Sequence, residues 1–146
     1  MSTRFAVAVH TLAVLNDARG EPVRSDTIAE SVNTNPVVIR RLLASLSRCG
    51  LVQTQLGTGG GARLAKPAED ITLLEVHEAV EGGPMFETHR SSPNLECPIG
   101  AHILPVLDRY TSRAERALQA ELAKVTVAQV SRSIQNRVRR YTPRPS

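Results

Sequence analysis

Four consecutive residues, Asn33-Thr34-Asn35-Pro36, constrain this chain more than any other stretch. They end one helical pattern and start the next with no space for a loop. Asn accepts hydrogen bonds from the free N–H groups of a helix start, and proline fits where no N–H is needed. Upstream, Ser25 reads as the N-cap of a short helix that begins with Thr27, Ile28 and Ala29 and ends near Val32. Downstream, the spacing predicts a helix over Pro36–Cys49, with Val37/Val38, Leu42, Leu43 and Leu46 inside. Arg40, Arg41, Ser45 and Arg48 then lie outward, and Gly50 supplies a left-handed cap. Two short helices joined by a tight turn, the second bearing arginines, match the helix-turn-helix pattern.

The next residues agree with that frame. Leu51–Leu56 alternates as a short strand, a glycine stretch comes after it, and Ala62-Arg63-Leu64 reads as a second strand stopped by Pro67. A hairpin directly after a candidate recognition helix is a wing. The same stretch, Gly57-Thr58-Gly59-Gly60-Gly61-Ala62, formally satisfies one form of the dinucleotide fingerprint. That fingerprint needs a buried strand before the loop and a helix after it. Here the preceding strand contains two glutamines, and Pro67 arrives within a few residues. A nucleotide-dependent enzyme using this loop is therefore the weaker alternative.

Elsewhere, Ser2 or Thr3 caps a first helix running to about Arg19, and Thr72-Leu73-Leu74-Glu75 is a capping box opening a helix to about Glu81. Residues 83–99 read as a loop. From Gly100 to about Lys124 one long helix carries an apolar stripe of Ile103, Val106, Leu107, Tyr110, Ala114, Ala117 and Leu118, with Pro105 in its first turn or at a kink. Beside so small a domain, such a helix reads as a dimerisation element. Thr126 caps a last helix to about Val138, and 139–146 are expected to be a disordered tail. The fold class is mainly α with a small β-hairpin: a winged helix-turn-helix domain over 1–82 plus the long helix and C-terminal helix over 100–138.

Charge is uneven along the chain. Residues 1–64 hold seven arginines against four acids, residues 65–121 five basic groups against ten acids, and the remainder six basic groups and no acid. A basic front and tail around an acidic middle suit an anionic partner. Only 3% of residues are aromatic, so few rings exist to stack bases or sugars. No apolar run approaches a membrane span, no signal peptide is seen, and Cys49 and Cys97 are too few for a secreted disulfide scaffold, which points to a cytoplasmic protein. His10 and His77 read as core or solvent residues, and Glu75, Glu78 and Glu81 lack further ligands for a metal. No nucleophilic or acid–base set stands out, so no catalytic residue is assigned.

Together, "STRFAVAVHTLAVL", "IAESVNTNPVVIRRLLASLSRCGLV", "GTGGGARLAKP", "ITLLEVHEAVEG" and "CPIG" resemble the Rrf-type bacterial regulators, specifically their YwnA-like branch. These are dimeric winged-helix transcription factors related to IscR, NsrR and CymR. The resemblance runs from about Ser2 to Val130 and implies a homodimeric regulator, in repressor form, on palindromic double-stranded DNA. It places Asn35, Val37, Val38, Arg40 and Arg41 toward the major groove. It makes Gln55–Arg63, including Gly59, Gly60, Gly61 and Arg63, the wing, and sets Ser2, Thr3, Arg4, Ser25 and Thr34 at phosphates. Two departures matter. Leu56 stands where many relatives carry a minor-groove arginine, leaving Arg63 to substitute. The iron–sulfur members use three cysteines in the loop before the dimerisation helix, whereas this loop has only Cys97, with His89 and His102 nearby. No cofactor is expected; Cys97, near a helix N-terminus, reads first as a buried structural cysteine and second as a redox- or electrophile-sensing thiol, so the signal is redox or small-molecule. A scaffold whose winged helix meets protein is the remaining one, and the arginines of Pro36–Cys49 argue against it.

Overall fold

The computed structural model describes residues 3–141 and Pro145; Ser2 and most of the last five residues lie outside that set. Helix α1 (Arg4–Asp17) places Ala8, Thr11, Leu12 and Leu15 at helical spacing in the centre of the molecule. Helices α2 (Ser25–Val32) and α3 (Pro36–Arg48) pack beside it, followed by strands β1 (Val52–Gln55) and β2 (Gly61–Leu64). The strands are antiparallel, pairing Val52 with Leu64, Gln53 with Arg63, Thr54 with Ala62 and Gln55 with Gly61. Val23 adds a single bridge to Ala62, with N···O distances of 2.8 Å both ways, tying the α1–α2 connection to the wing.

Helix α4 (Leu73–Val80) has the expected capping box: Thr72 Oγ1 accepts from the Glu75 N–H and the Glu75 carboxylate accepts from the Thr72 N–H. Glu75 also takes a 2.7 Å ion pair from Lys66, just past β2. Partial burial pushes its pKa up, but the Lys66 ammonium and the Thr72 hydrogen bonds outweigh this and hold the carboxyl below its ordinary value. Wing and α4 are thus joined by charge as well as by packing.

One core runs through all of this. Leu12, Leu15, Ile28, Ile39, Leu46, Leu51, Ile71 and Val76 are almost wholly buried, and the chain returns to supply Val127. It returns after α5 (Pro98–Ala123), a helix with no buried residue, through Leu73 N–H to Val125 O (2.8 Å) and Val127 N–H to Ile71 O (2.9 Å). Helix α6 (Val127–Tyr141) then lies along α1. Thr126 and Gln129 cap it reciprocally, at 3.2 and 2.8 Å.

Three boundaries differ from the sequence reading. Residues 139–141, expected in a disordered tail, continue α6 to Tyr141, because Arg137, Arg139 and Arg140 are good helix formers near a carbonyl-rich end. Helix α5 starts at Pro98 rather than Gly100, since proline suits a first helical position. Pro105 lies inside α5, beyond the first turn; it is exposed, and its ring removes the donor that the Ala101 carbonyl would otherwise have.

Candidate nucleic-acid interface

The turn between α2 and α3 is built as the asparagines dictate. Asn33 adopts left-handed φ 63° and ψ 54°, Thr34 N–H donates to Ala29 O at 2.9 Å, and Asn35 Oδ1 accepts from Val37 N–H at 2.8 Å. Ser25 is not the cap of α2; Arg24 holds that place and Ser25 is the first helical residue, half-buried.

Helix α3 then divides its sides sharply. Ile39, Leu42, Leu43 and Leu46 form the i, i+3, i+4, i+7 stripe that faces the core. Val37 and Val38, read as inner residues from their apolarity, fall on the other side of that stripe and are 42% and 47% exposed. Arg40 and Arg41 are exposed with them, as is Asn35. The result is a helix N-terminus offering two apolar and two cationic side chains to solvent. Ser45, expected outward, is buried. It lies at the edge of the stripe, beneath two arginines that sequence spacing did not bring together. Arg48 Nη2 donates to Ser45 Oγ at 3.2 Å and Arg4 Nη2 at 3.5 Å. Arg48 sits seven residues after Arg41 on the same exposed line of α3, a helical spacing that could have flagged it.

The wing projects beside this helix. Gln53, Gln55 and Arg63 are exposed, and cross-strand pairing sets Gln53 against Arg63 on one face. Leu56 at the tip is 96% exposed. The glycine run is explained by the chain itself. A Cβ on Gly60 would collide with the Gln55 carbonyl, and one on Gly61 would meet the Val23 carbonyl oxygen at 2.6 Å. A strand follows the glycines, so no helix N-terminus stands there to hold a pyrophosphate. Of the expected phosphate contacts, Thr3 and Arg4 are exposed at the start of α1 and Thr34 is half-buried; Ser2 lies outside the described residues.

Cys97 occupies the N-cap of α5 and is exposed. It makes no capping hydrogen bond of ordinary length, yet the amides of Gly100 and then Ile99 face the sulfur and hold its pKa below the usual thiol value. Among the described residues, no three His, Cys, Asp or Glu side chains gather as a metal site. Cys97 is the one cysteine in the loop before α5, where an iron–sulfur cluster of the usual kind draws on several thiolates. On α5, Val106, Leu107 and Tyr110 are 52%, 40% and 57% exposed; Ile103 and Leu118 are half-buried, and Ala114 and Ala117 exposed. Ile99 and Leu104 extend the exposed apolar surface.

A core-backed α3 beside a glycine wing defines a winged helix-turn-helix protein. The family model for Rrf2, described as an iron-dependent transcriptional regulator, matches residues 1–133, and the chain belongs to that family. Over 130 residues it is 37% identical to a Bacillus subtilis (strain 168) protein named as the HTH-type transcriptional regulator YwnA, covering 89% of this chain and 96% of that one. A solved transcriptional regulator from Lactobacillus plantarum is 27% identical, with a TM-score of 0.80 over 92% of this chain and 91% of its own. T. potens IscR, 20% identical, has a TM-score of 0.70 over 99% and 93%, a likeness of fold alone. Fold and relatives are those of transcription regulators rather than enzymes. Among the described residues, no helix is long and apolar enough to cross a membrane.

Proposed function

We propose that this regulator represses transcription as a homodimer bound sequence-specifically to a two-fold-related DNA site in the cytoplasm. The exposed start of α3 carries the reading: Val37, Val38, Arg40 and Arg41 face solvent while the back of the helix is locked in the core. Arginines and backbone amides supply affinity through phosphates, and α3 side chains discriminate bases, with valine methyls suited to thymine and arginine to guanine. Arg63, with Gln53, takes the wing's place at the minor groove. The apolar surface of α5 supports the dimer, since a long helix that buries nothing needs a partner. No cluster takes part; the exposed thiol of Cys97, at the N-terminus of α5, is the signal input.

The test is duplex binding by purified protein. A specific site binds with Kd on the order of 10⁻⁸ M or tighter and weakens steeply with salt. Equal affinity for specific and random duplexes at physiological salt overturns the reading. Arg40→Ala reduces specific binding by about tenfold or more and leaves the dimer folded. A colourless, metal-free protein after anaerobic purification accords with thiol input; a brown, iron-containing one refutes it.

A further inference from the structure

We propose that a cavity between α1, α2 and α6, which shares no lining residue with α3 or the wing, is a binding site for a small aliphatic carboxylate. It measures about 630 Å³, within the range of about 300–1,000 Å³ usual for small-molecule sites. Helix α1 lines it with His10, Ala13, Val14 and Asp17, and α6 with Ser131, Ile134 and Gln135. Both sets follow the i, i+3, i+4 spacing, so each helix turns one continuous face to the cavity. Helix α6 packs on the body through Val127, Ala128 and Ser131, all buried, whereas Ile134 in the next turn is 47% exposed. The packing therefore opens beyond Ser131, and the small side chain of Ala13 adds to the space.

One buried atom points to a ligand. Ser131 is 7% exposed, and its Oγ has no hydrogen-bond partner among the described residues. A hydroxyl buried in that way is unfavourable, and a carboxylate oxygen in the cavity supplies the partner. The walls set the rest of the chemistry. Ala13, Val14 and Ile134 are aliphatic, and among the described residues no Phe, Tyr or Trp lines the cavity, which suits a flexible aliphatic chain rather than a planar ring. Arg19 and Arg139 stand against Asp17 alone, a positive balance that selects an anion over a cation. Ser31, hydrogen-bonded to His10 at 2.8 Å, brings α2 to the cavity two residues before the Asn33 turn. Occupancy therefore reaches the α2–α3 unit; that coupling, but not the site itself, rests on the DNA-binding reading.

The deciding experiment follows thermal unfolding of the full chain with octanoate and with octylamine, which has the same chain length and the opposite charge. Octanoate raises the wild-type Tm saturably, and octylamine gives no such rise. Ala13→Leu fills the cavity with a good helix former and abolishes the rise. Without octanoate, Ser131→Ala melts at or above the wild-type temperature, because an unpartnered hydroxyl has gone, and its octanoate response is weaker. Arg139→Gln moves the midpoint of the octanoate titration up by about threefold. No rise with octanoate, an equal rise with octylamine, or a rise that Ala13→Leu leaves unchanged overturns the site. So does a Ser131→Ala protein that melts below wild type, the mark of a hydroxyl used within the fold. Octanoate also changes the affinity of wild type for its specific duplex, but not that of Ala13→Leu. A thermal response without that change upholds the site and refutes the coupling, and one without any DNA binding refutes the DNA reading alone.

Discussion

The winged-helix body and helix α5 meet the burial problem in opposite ways. In the body, short elements of 4 to 14 residues each contribute one apolar stripe to a shared core, and Leu12, Ile28, Ile39 and Val76 are entirely removed from water. Helix α5, at 26 residues the longest element, buries no residue, and leaves Val106, Leu107 and Tyr110 facing solvent. The segment beside it is held by polar contacts, Met85 and Phe86 N–H groups donating to Glu115 at 2.8 and 3.3 Å. The body holds the core of the single chain; α5 leaves its apolar stripe toward solvent.

The largest effect is expected at the centre of the body. Leu12→Ala, at a site fully buried by α1's neighbours, costs about 2–5 kcal/mol and is read from chemical denaturation. A smaller loss would mean that the core relaxes around the cavity. On α5 the opposite outcome holds. Leu107→Glu leaves the body folded but yields a monomer in sedimentation equilibrium and lowers α5 helicity, and the wild-type Tm alone rises with protein concentration. A variant that stays dimeric removes the stripe from the interface. Asn35→Ala costs about 0.5–2 kcal/mol through its cap bond to Val37, and loosens the start of α3 as well.

The smallest effect is that of pH on the link between wing and α4. Glu75 is held below its ordinary pKa in the folded state, so its contribution is complete above the unfolded carboxyl value and fades as pH falls through the folded one. Both partners are about a third exposed, so Glu75→Gln changes stability by no more than about 1 kcal/mol at neutral pH. In acid the two proteins converge; a difference that persists there belongs to packing rather than to charge.

Much of the architecture was legible because local rules and tertiary packing agree. The Asn35-Pro36 start, the Thr72–Glu75 capping box and the paired short strands all involve residues within a few positions of one another. The inner face of α3 was less legible. Val37 and Val38 are as apolar as Leu42 and Leu43, so apolarity reads them inward although the family resemblance turns them toward DNA, and the position of the core leaves them exposed. Ile39 shows which stripe wins: the one completed through Leu46. The glycines were legible as a turn, but their necessity at Gly60 and Gly61 comes from the backbones of Gln55 and Val23, one of which belongs to a distant connection.

By itself, then, the amino-acid order determined the turn before α3, the hairpin and the order of the elements, since caps, prolines and glycines act on backbone groups a few residues away. Only the tertiary structure decided that Ile39 rather than Val37 or Val38 completes the inner stripe of α3, that Ser45 is buried, and that Arg4 and Arg48 share it. Those facts depend on how α1 crosses α3, which is set by the whole core rather than by any local pattern.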